Sequence, residues 1–153
     1  MGLLTQALAG RKVVLTSGSY DLFHSLHLVF LERCRRLCDV LIVGVDSDDS
    51  IRERKGPQRP LIPEHQRVAI VGALACVDGA FVLGSVEGFE EAMRLLKPMV
   101  IFKNKDFKEE EVLGRDRARV VIVPDLIQHS STSGIVEEVA RRMTSAKGTA
   151  SER

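Results

Sequence analysis

Little in this sequence would take it outside the ordinary run of α/β domains. Its 153 residues include no tryptophan and a single tyrosine, so any core must be built mainly from valine, leucine and isoleucine. No stretch approaches the roughly 18 consecutive apolar residues of a membrane-spanning helix. Met1-Gly2-Leu3-Leu4-Thr5-Gln6 has neither the charged start nor the long apolar run of a secretory leader. The expectation is a cytoplasmic protein with no membrane partner. Net charge is only +1, unlike the broad basic face of domains that coat nucleic acid, so no nucleic-acid partner is expected. The three cysteines include no CxxC pair; Cys34, Cys38 and Cys76 read as free thiols within apolar helical runs. The motifs GxxxxGK[ST] and GxGxxG are also missing, which weighs against P-loop NTPases and dinucleotide oxidoreductases.

What the chain does contain is a regular alternation of short apolar runs and helical stretches. Strands are expected at residues 13–16, 40–45, 80–83, 99–102 and 120–123. Helices are expected at residues 27–37, 48–52, 63–75, 87–96 and 131–143. Pro63 suits the opening of the third, because its missing N–H costs nothing in a first turn. Strands apolar at nearly every position are buried on both faces, as in a parallel sheet. The fold class is therefore α/β, a Rossmann-like doubly wound five-stranded parallel sheet forming a single domain over residues 1–143. Residues 144–153 are small and polar and read as a disordered tail.

In such sheets ligands bind beyond the carboxyl ends of the strands. That rule gathers residues 17–27, 46–59, 103–107 and 124–133 at one rim. His24 and His27, three apart at a helix start, share a face and lie beside backbone N–H groups that have no intrahelical partner. Such a place holds phosphate, although spacing alone leaves two surface histidines as the alternative. Ser17 and Ser19 offer hydroxyl donors, and Gly18 would let backbone approach a ligand. Arg52, Arg54, Lys55, Arg59 and Arg67 give the segment 52–67 a net charge of +3, either a solvated surface or a clamp for a triphosphate. Ser130, Ser131, Thr132 and Ser133 exceed what a helix cap requires. Histidines spaced HSLH do not match the HExxH zinc helix, so no metal-binding residue is assigned. Two anion-binding helix starts, a basic loop and a histidine pair suit phosphoryl or nucleotidyl transfer, in which fixed donors stabilise charge building on phosphate oxygens.

The run from Thr16 to His27, TSGSYDLFHSLH, resembles the TxGxFDxxHxGH signature of the cytidylyltransferase-like nucleotidyltransferases. Ser131-Thr132-Ser133-Gly134-Ile135 resembles their STT-x-I segment, and Lys55-Gly56, Arg59-Pro60, Pro63 and Gln66-Arg67 fall between in the family order. Residues 47–67 are most similar to the adenylyltransferase half of ADP-heptose synthases, with glycerol-3-phosphate cytidylyltransferases also similar. The resemblance implies attack by a substrate phosphate on the α-phosphate of ATP or CTP, with Mg2+ and release of pyrophosphate. It implies His24, His27, Lys55 and Arg67 as catalytic groups, and Thr16, Ser17, Gly18, Ser19, Lys103, Ser131, Thr132 and Ser133 as nucleotide-binding. Asp21 is implied as loop architecture. It further implies a small phosphorylated acceptor as partner substrate, and a homodimer. Two departures stand out: Leu26 replaces the glycine between the histidines, and Lys105 replaces a glycine of a KGGDY-like segment. The first leaves open a nucleotide-binding or regulatory protein with impaired turnover.

Overall fold

Alternation within each strand decides how the layers form. In β1 (Val13–Gly18), Val14 and Leu15 point to opposite faces of the sheet, and both are essentially sealed from solvent. The computed structural model describes residues 6–124 and 132–150, of which 145–150 are described as backbone only. After β1 come α1 (Ser25–Arg35), β2 (Val40–Asp46), α2 (Asp48–Lys55), α3 (Glu64–Gly72) and β3 (Gly79–Leu83). Then follow α4 (Val86–Leu96), β4 (Val100–Asn104), a 3-10 turn at Glu109–Glu111, β5 (Arg119–Val123) and α5 (Thr132–Ala150). All pairings are parallel, in the order β3-β2-β1-β4-β5. The order reverses between β1 and β4, which is where such sheets open a crevice.

One apolar layer joins Val14, Leu41, Val43 and Val45 to Leu31 and Cys34 of α1 and Val71 of α3. The opposite layer joins Leu15, Ile101 and Val120 to Phe89 and Met93 of α4. Burying each of these larger aliphatic side chains is worth about 1.5–3 kcal/mol, which anchors both layers around the central strands. β3 is less covered, with Val82 more than a third exposed, because an edge strand has no neighbour on one side. The expected elements are present with ends shifted by a few residues. The largest differences are α2, which continues to Lys55 where a Ser47 side-chain cap starts it cleanly, and α5, which continues to Ala150 instead of stopping at 143. Helical backbone therefore covers residues 144–150 of the expected tail, and 151–153 lie outside the described residues. No helix among the described residues is long and apolar enough to cross a membrane.

Candidate active site

The loop after β1 is held in a shape that ordinary residues resist. Tyr20 (φ 50°) and Leu22 (φ 47°) both lie in the left-handed region without being glycine. Between them Asp21, almost fully buried, accepts from the Arg59 guanidinium at 2.8 Å and from the amides of Leu61 and Ile62 at 3.1 and 3.0 Å. These bonds offset the backbone cost, of order 1–3 kcal/mol per strained residue. Gly18 turns out to serve packing: a Cβ there would meet the Tyr20 ring at 3.3 Å. The space that glycine leaves lets the buried Tyr20 ring present itself edge-on to His27, at 5.4 Å between centroids. Phe23 lies beside them, 5.3 Å from the imidazole and 6.4 Å from the Tyr20 ring.

His24 is the N-cap of α1 and His27 stands one turn in, so their rings stack at 3.9 Å with 26° between planes. The His24 backbone N–H donates to His27 Nδ1 at 3.3 Å. A neutral His27 must then carry its proton on Nε2, which makes that atom a donor. Burial, the stacked His24 ring and the nearby Lys55 charge push the His27 pKa down to about 4, with Asp21 opposing. Burial also lowers that of His24. Both rings are neutral hydrogen-bonding groups at neutral pH. His24 Nδ1 is buried at the helix start, facing the His27 backbone N–H in a capping-box arrangement without a hydrogen bond of full geometry. Leu26, between them, is half-buried.

The basic segment divides sharply. Arg67, expected to assist catalysis, is only 1% exposed and its guanidinium is fully engaged with the protein. It donates to Ile62 O at 2.8 Å, Ser19 O at 2.5 Å and Asp48 at 2.7 Å, stitching α3 to the β1 loop and to α2. Arg52 pairs with Asp49, Arg54 with Asp46, and Arg59 with Asp21. A charge count over 52–67 misses these carboxylates, because Asp46, Asp48 and Asp49 lie just ahead of it and Asp21 comes from the β1 loop. Lys55 alone of the five cations has no ion pair among the described residues, and its charge reaches His27.

A second group lies at the ends of β1, β2 and β4. The Lys103 ammonium donates to Ser17 Oγ at 2.6 Å and to Ser17 O at 3.3 Å, and sits 4.5 Å above the Phe107 ring. Burial pushes its pKa down to about 8, with Asp46 raising it and Arg54 lowering it. Ser19 Oγ donates to Asp46 at 3.4 Å. Thr16 is wholly buried, and its hydroxyl donates to Phe102 O at 2.8 Å, so it fastens β1 to β4 and does not face the crevice. Thr132 donates to Asp21 O at 2.9 Å, bringing the start of α5 onto the β1 loop. Ser133 is exposed in the same first turn, and Ser131 lies outside the described residues.

Tyr20, Asp46 and Phe107 belong to the site without having been singled out. Asp46 carried a signal, a lone carboxylate ending an apolar strand one residue past the partner of Gly18. Phe107 carried another, an aromatic four residues after Lys103. The thiols are free: Cys34 is buried, Cys38 and Cys76 half-buried, and burial raises all three pKa values, away from reactivity.

A family model described as cytidylyltransferase-like matches residues 15–139. The bifunctional protein HldE of Helicobacter hepaticus is 37% identical over 139 residues, covering 90% of this chain and 28% of that protein. HldE of Desulfatibacillum aliphaticivorans is 39% identical over 135 residues, covering 85% and 27%. The chain thus spans a little over a quarter of the curated relatives it matches. Among solved structures, the lipopolysaccharide core biosynthesis protein of Thermoplasma volcanium superposes with a TM-score of 0.65 at 26% identity, covering 78% of this chain and 100% of that one. Pantothenate synthetase of Thermus thermophilus shares the fold, with a TM-score of 0.55 at 20% identity over 79% of this chain and 58% of that one.

Proposed function

The chain belongs to the cytidylyltransferase-like family, and from that premise we propose that it transfers a nucleoside monophosphate from ATP or CTP to a small phosphorylated acceptor such as a sugar 1-phosphate. An acceptor phosphate oxygen forms the new bond to the α-phosphorus, the bond from the α-phosphorus to its bridging oxygen breaks, and pyrophosphate leaves. The acceptor phosphate is already anionic at neutral pH, so no side chain has to remove a proton. The protein's task is to hold the triphosphate and stabilise charge on the leaving oxygens.

The stacked, neutral histidine pair at the start of α1 carries this reading. His27, with its proton on Nε2, and the stacked His24 ring stand at the start of α1, where backbone N–H groups without intrahelical partners suit a polyphosphate. Lys55 supplies a charge that reaches His27, and Thr132 brings α5 to the β1 loop. Ser133, exposed in that first turn, adds a hydroxyl for the nucleotide, and the family motif assigns Ser131 the same role. Arg67 and Thr16 act as positioning residues. The relative named for lipopolysaccharide core biosynthesis supports a sugar acceptor. Mg2+ enters with the nucleotide as part of the substrate. Asp21 and Asp46 are committed to arginines, and no group of three or more potential ligands stands ready to hold a cation among the described residues. A homodimer belongs to the same reading, and light scattering tests it.

Pyrophosphate release with MgATP or MgCTP and a panel of sugar 1-phosphates tests the activity. Nucleotide binding without turnover, reversed by Leu26→Gly, would favour the impaired alternative. Failure to bind either nucleotide would sink both.

A further inference from the structure

We propose that Lys103, backed by Ser17 and flanked by Arg54, is a separate subsite for the phosphate of the acceptor, so that the enzyme grips a phosphate monoester at a point distinct from the triphosphate cradle. This rests on the nucleotidyl-transfer reading above, adds to it the chemistry of the second substrate, and moves Lys103 from the nucleotide contact that the family resemblance implies to the acceptor.

The argument begins with an unbalanced charge. The Lys103 ammonium is held by a hydroxyl, a backbone carbonyl and the face of Phe107, and no carboxylate lies within ion-pair distance of it among the described residues. The acid whose charge acts on it, Asp46, is already paired with Arg54 at 2.5 Å and takes the Ser19 hydroxyl as well. Counting Lys103, Arg54 and Asp46, the cluster keeps one positive charge. Withdrawing a cation from water without a counter-ion is costly, and a methionine would fill the same place more cheaply. An anionic ligand removes that cost, and the depressed pKa registers the same desolvation.

Position distinguishes this point from the histidine cradle. The charges acting on His27 are His24, Lys55 and Asp21, whereas those acting on Lys103 are Asp46 and Arg54, with no member in common. The two groups meet along β1 and its loop, through the backbone of Ser17, Gly18 and Ser19 and through Tyr20, which packs edge-on to His27 and feels the Asp46 charge. A displacement at phosphorus needs its entering and leaving oxygens roughly in line, on opposite sides of the atom transferred. With pyrophosphate leaving toward the histidines, the in-line requirement assigns an acceptor phosphate held at Lys103 to the opposite face of the α-phosphorus. Specificity at this subsite falls on a phosphate monoester, since a neutral alcohol would leave the ammonium uncompensated.

Inorganic phosphate is the probe, titrated calorimetrically into enzyme saturated with a non-reacting α,β-methylene analogue of ATP or CTP with Mg2+. Saturation keeps phosphate out of the triphosphate cradle. Lys103→Met and Lys103→Gln are each expected to weaken phosphate about tenfold or more and Lys103→Arg by less than about threefold, with analogue affinity unchanged to within about twofold in all three. Lys55→Met is expected to do the reverse. If phosphate binds Lys103→Gln as it binds the parent, or the analogue weakens in step with phosphate, the separate subsite is wrong while nucleotidyl transfer stands. If the unaltered protein binds neither analogue, the functional reading itself falls and takes this inference with it. Thermal unfolding of each variant verifies that losses are local.

Discussion

The segment 47–67 and the ends of β1 and β4 both bring positive charge to the crevice, and they treat it in opposite ways. In the first, four of five cations are neutralised by protein carboxylates, and Arg67 is sealed inside with three oxygen acceptors. Beyond those strand ends, His24 and His27 at the start of α1 are kept neutral chiefly by burial, and Lys103 on β4 is desolvated without an acid of its own. A charge answered inside the chain holds the fold. A polar or charged group denied an internal partner, in a region that opens to solvent, is the one left to meet a ligand.

Arg67→Met tests the first half of that contrast and has the largest expected effect. It leaves the Asp48 carboxylate and the carbonyls of Ser19 and Ile62 without their donor, so stability should fall by about 3–5 kcal/mol in urea unfolding. An Arg67→Met protein of parental stability but no activity would make Arg67 a ligand contact after all. His27→Ala tests the second half. Loss of one fixed donor to the reacting phosphates should cost about 2.7–4 kcal/mol in the transition state, roughly 100- to 1,000-fold in rate, measured as pyrophosphate release. A small loss of rate would move the triphosphate elsewhere.

Much of the division was hidden in the sequence because it depends on contacts between distant residues. The layers were legible, since apolar strands and amphipathic helices announce their own burial: Val14 and Leu15 fall to opposite faces from alternation alone. The histidine pair was legible because three-residue spacing survives into the helix. Arg67 and Arg54 looked alike as letters, yet one is buried against Asp48 and the other half-exposed beside Asp46. Gly18 invited a reading about ligand approach, while its actual neighbour is a ring two residues on. The start of α2 was legible, but its far end was placed too early, since the helix runs on to the Gly56 cap.

Acidity gives a third test of the histidine cradle. The His27 pKa of about 4 lies below the ordinary histidine value of 6.5, so the unfolded chain binds a proton there more readily than the folded one. The sign follows: stability is greatest above pH 6.5 and falls as pH drops toward 4, by roughly 3 kcal/mol from this group. Other groups also titrate in that range, so the difference between the parent and His27→Ala isolates the contribution. Pyrophosphate release should meanwhile show no inflection near pH 6.5 attributable to His27. A step there would mean that the ring charges during turnover.

Lys103→Met, made beside Arg67→Met, should give the smallest change in stability and the sharpest version of the comparison. The two substitutions remove a cation and insert the same apolar side chain. At Arg67 three acceptors lose their donor, whereas at Lys103 the losses are a hydroxyl contact, a long carbonyl contact and a ring contact. Against these stands relief from holding an uncompensated cation out of water. The net effect at pH 7 should lie within about 1 kcal/mol of the parent, with either sign, by urea unfolding. A depressed lysine pKa adds a signature. In the parent, stability should rise as pH increases from about 8 toward 10.5, because the unfolded chain keeps the proton that folded Lys103 has shed. Lys103→Met should lack that rise. If it instead unfolds as readily as Arg67→Met, Lys103 belongs with the structural cations and the contrast between the two regions dissolves.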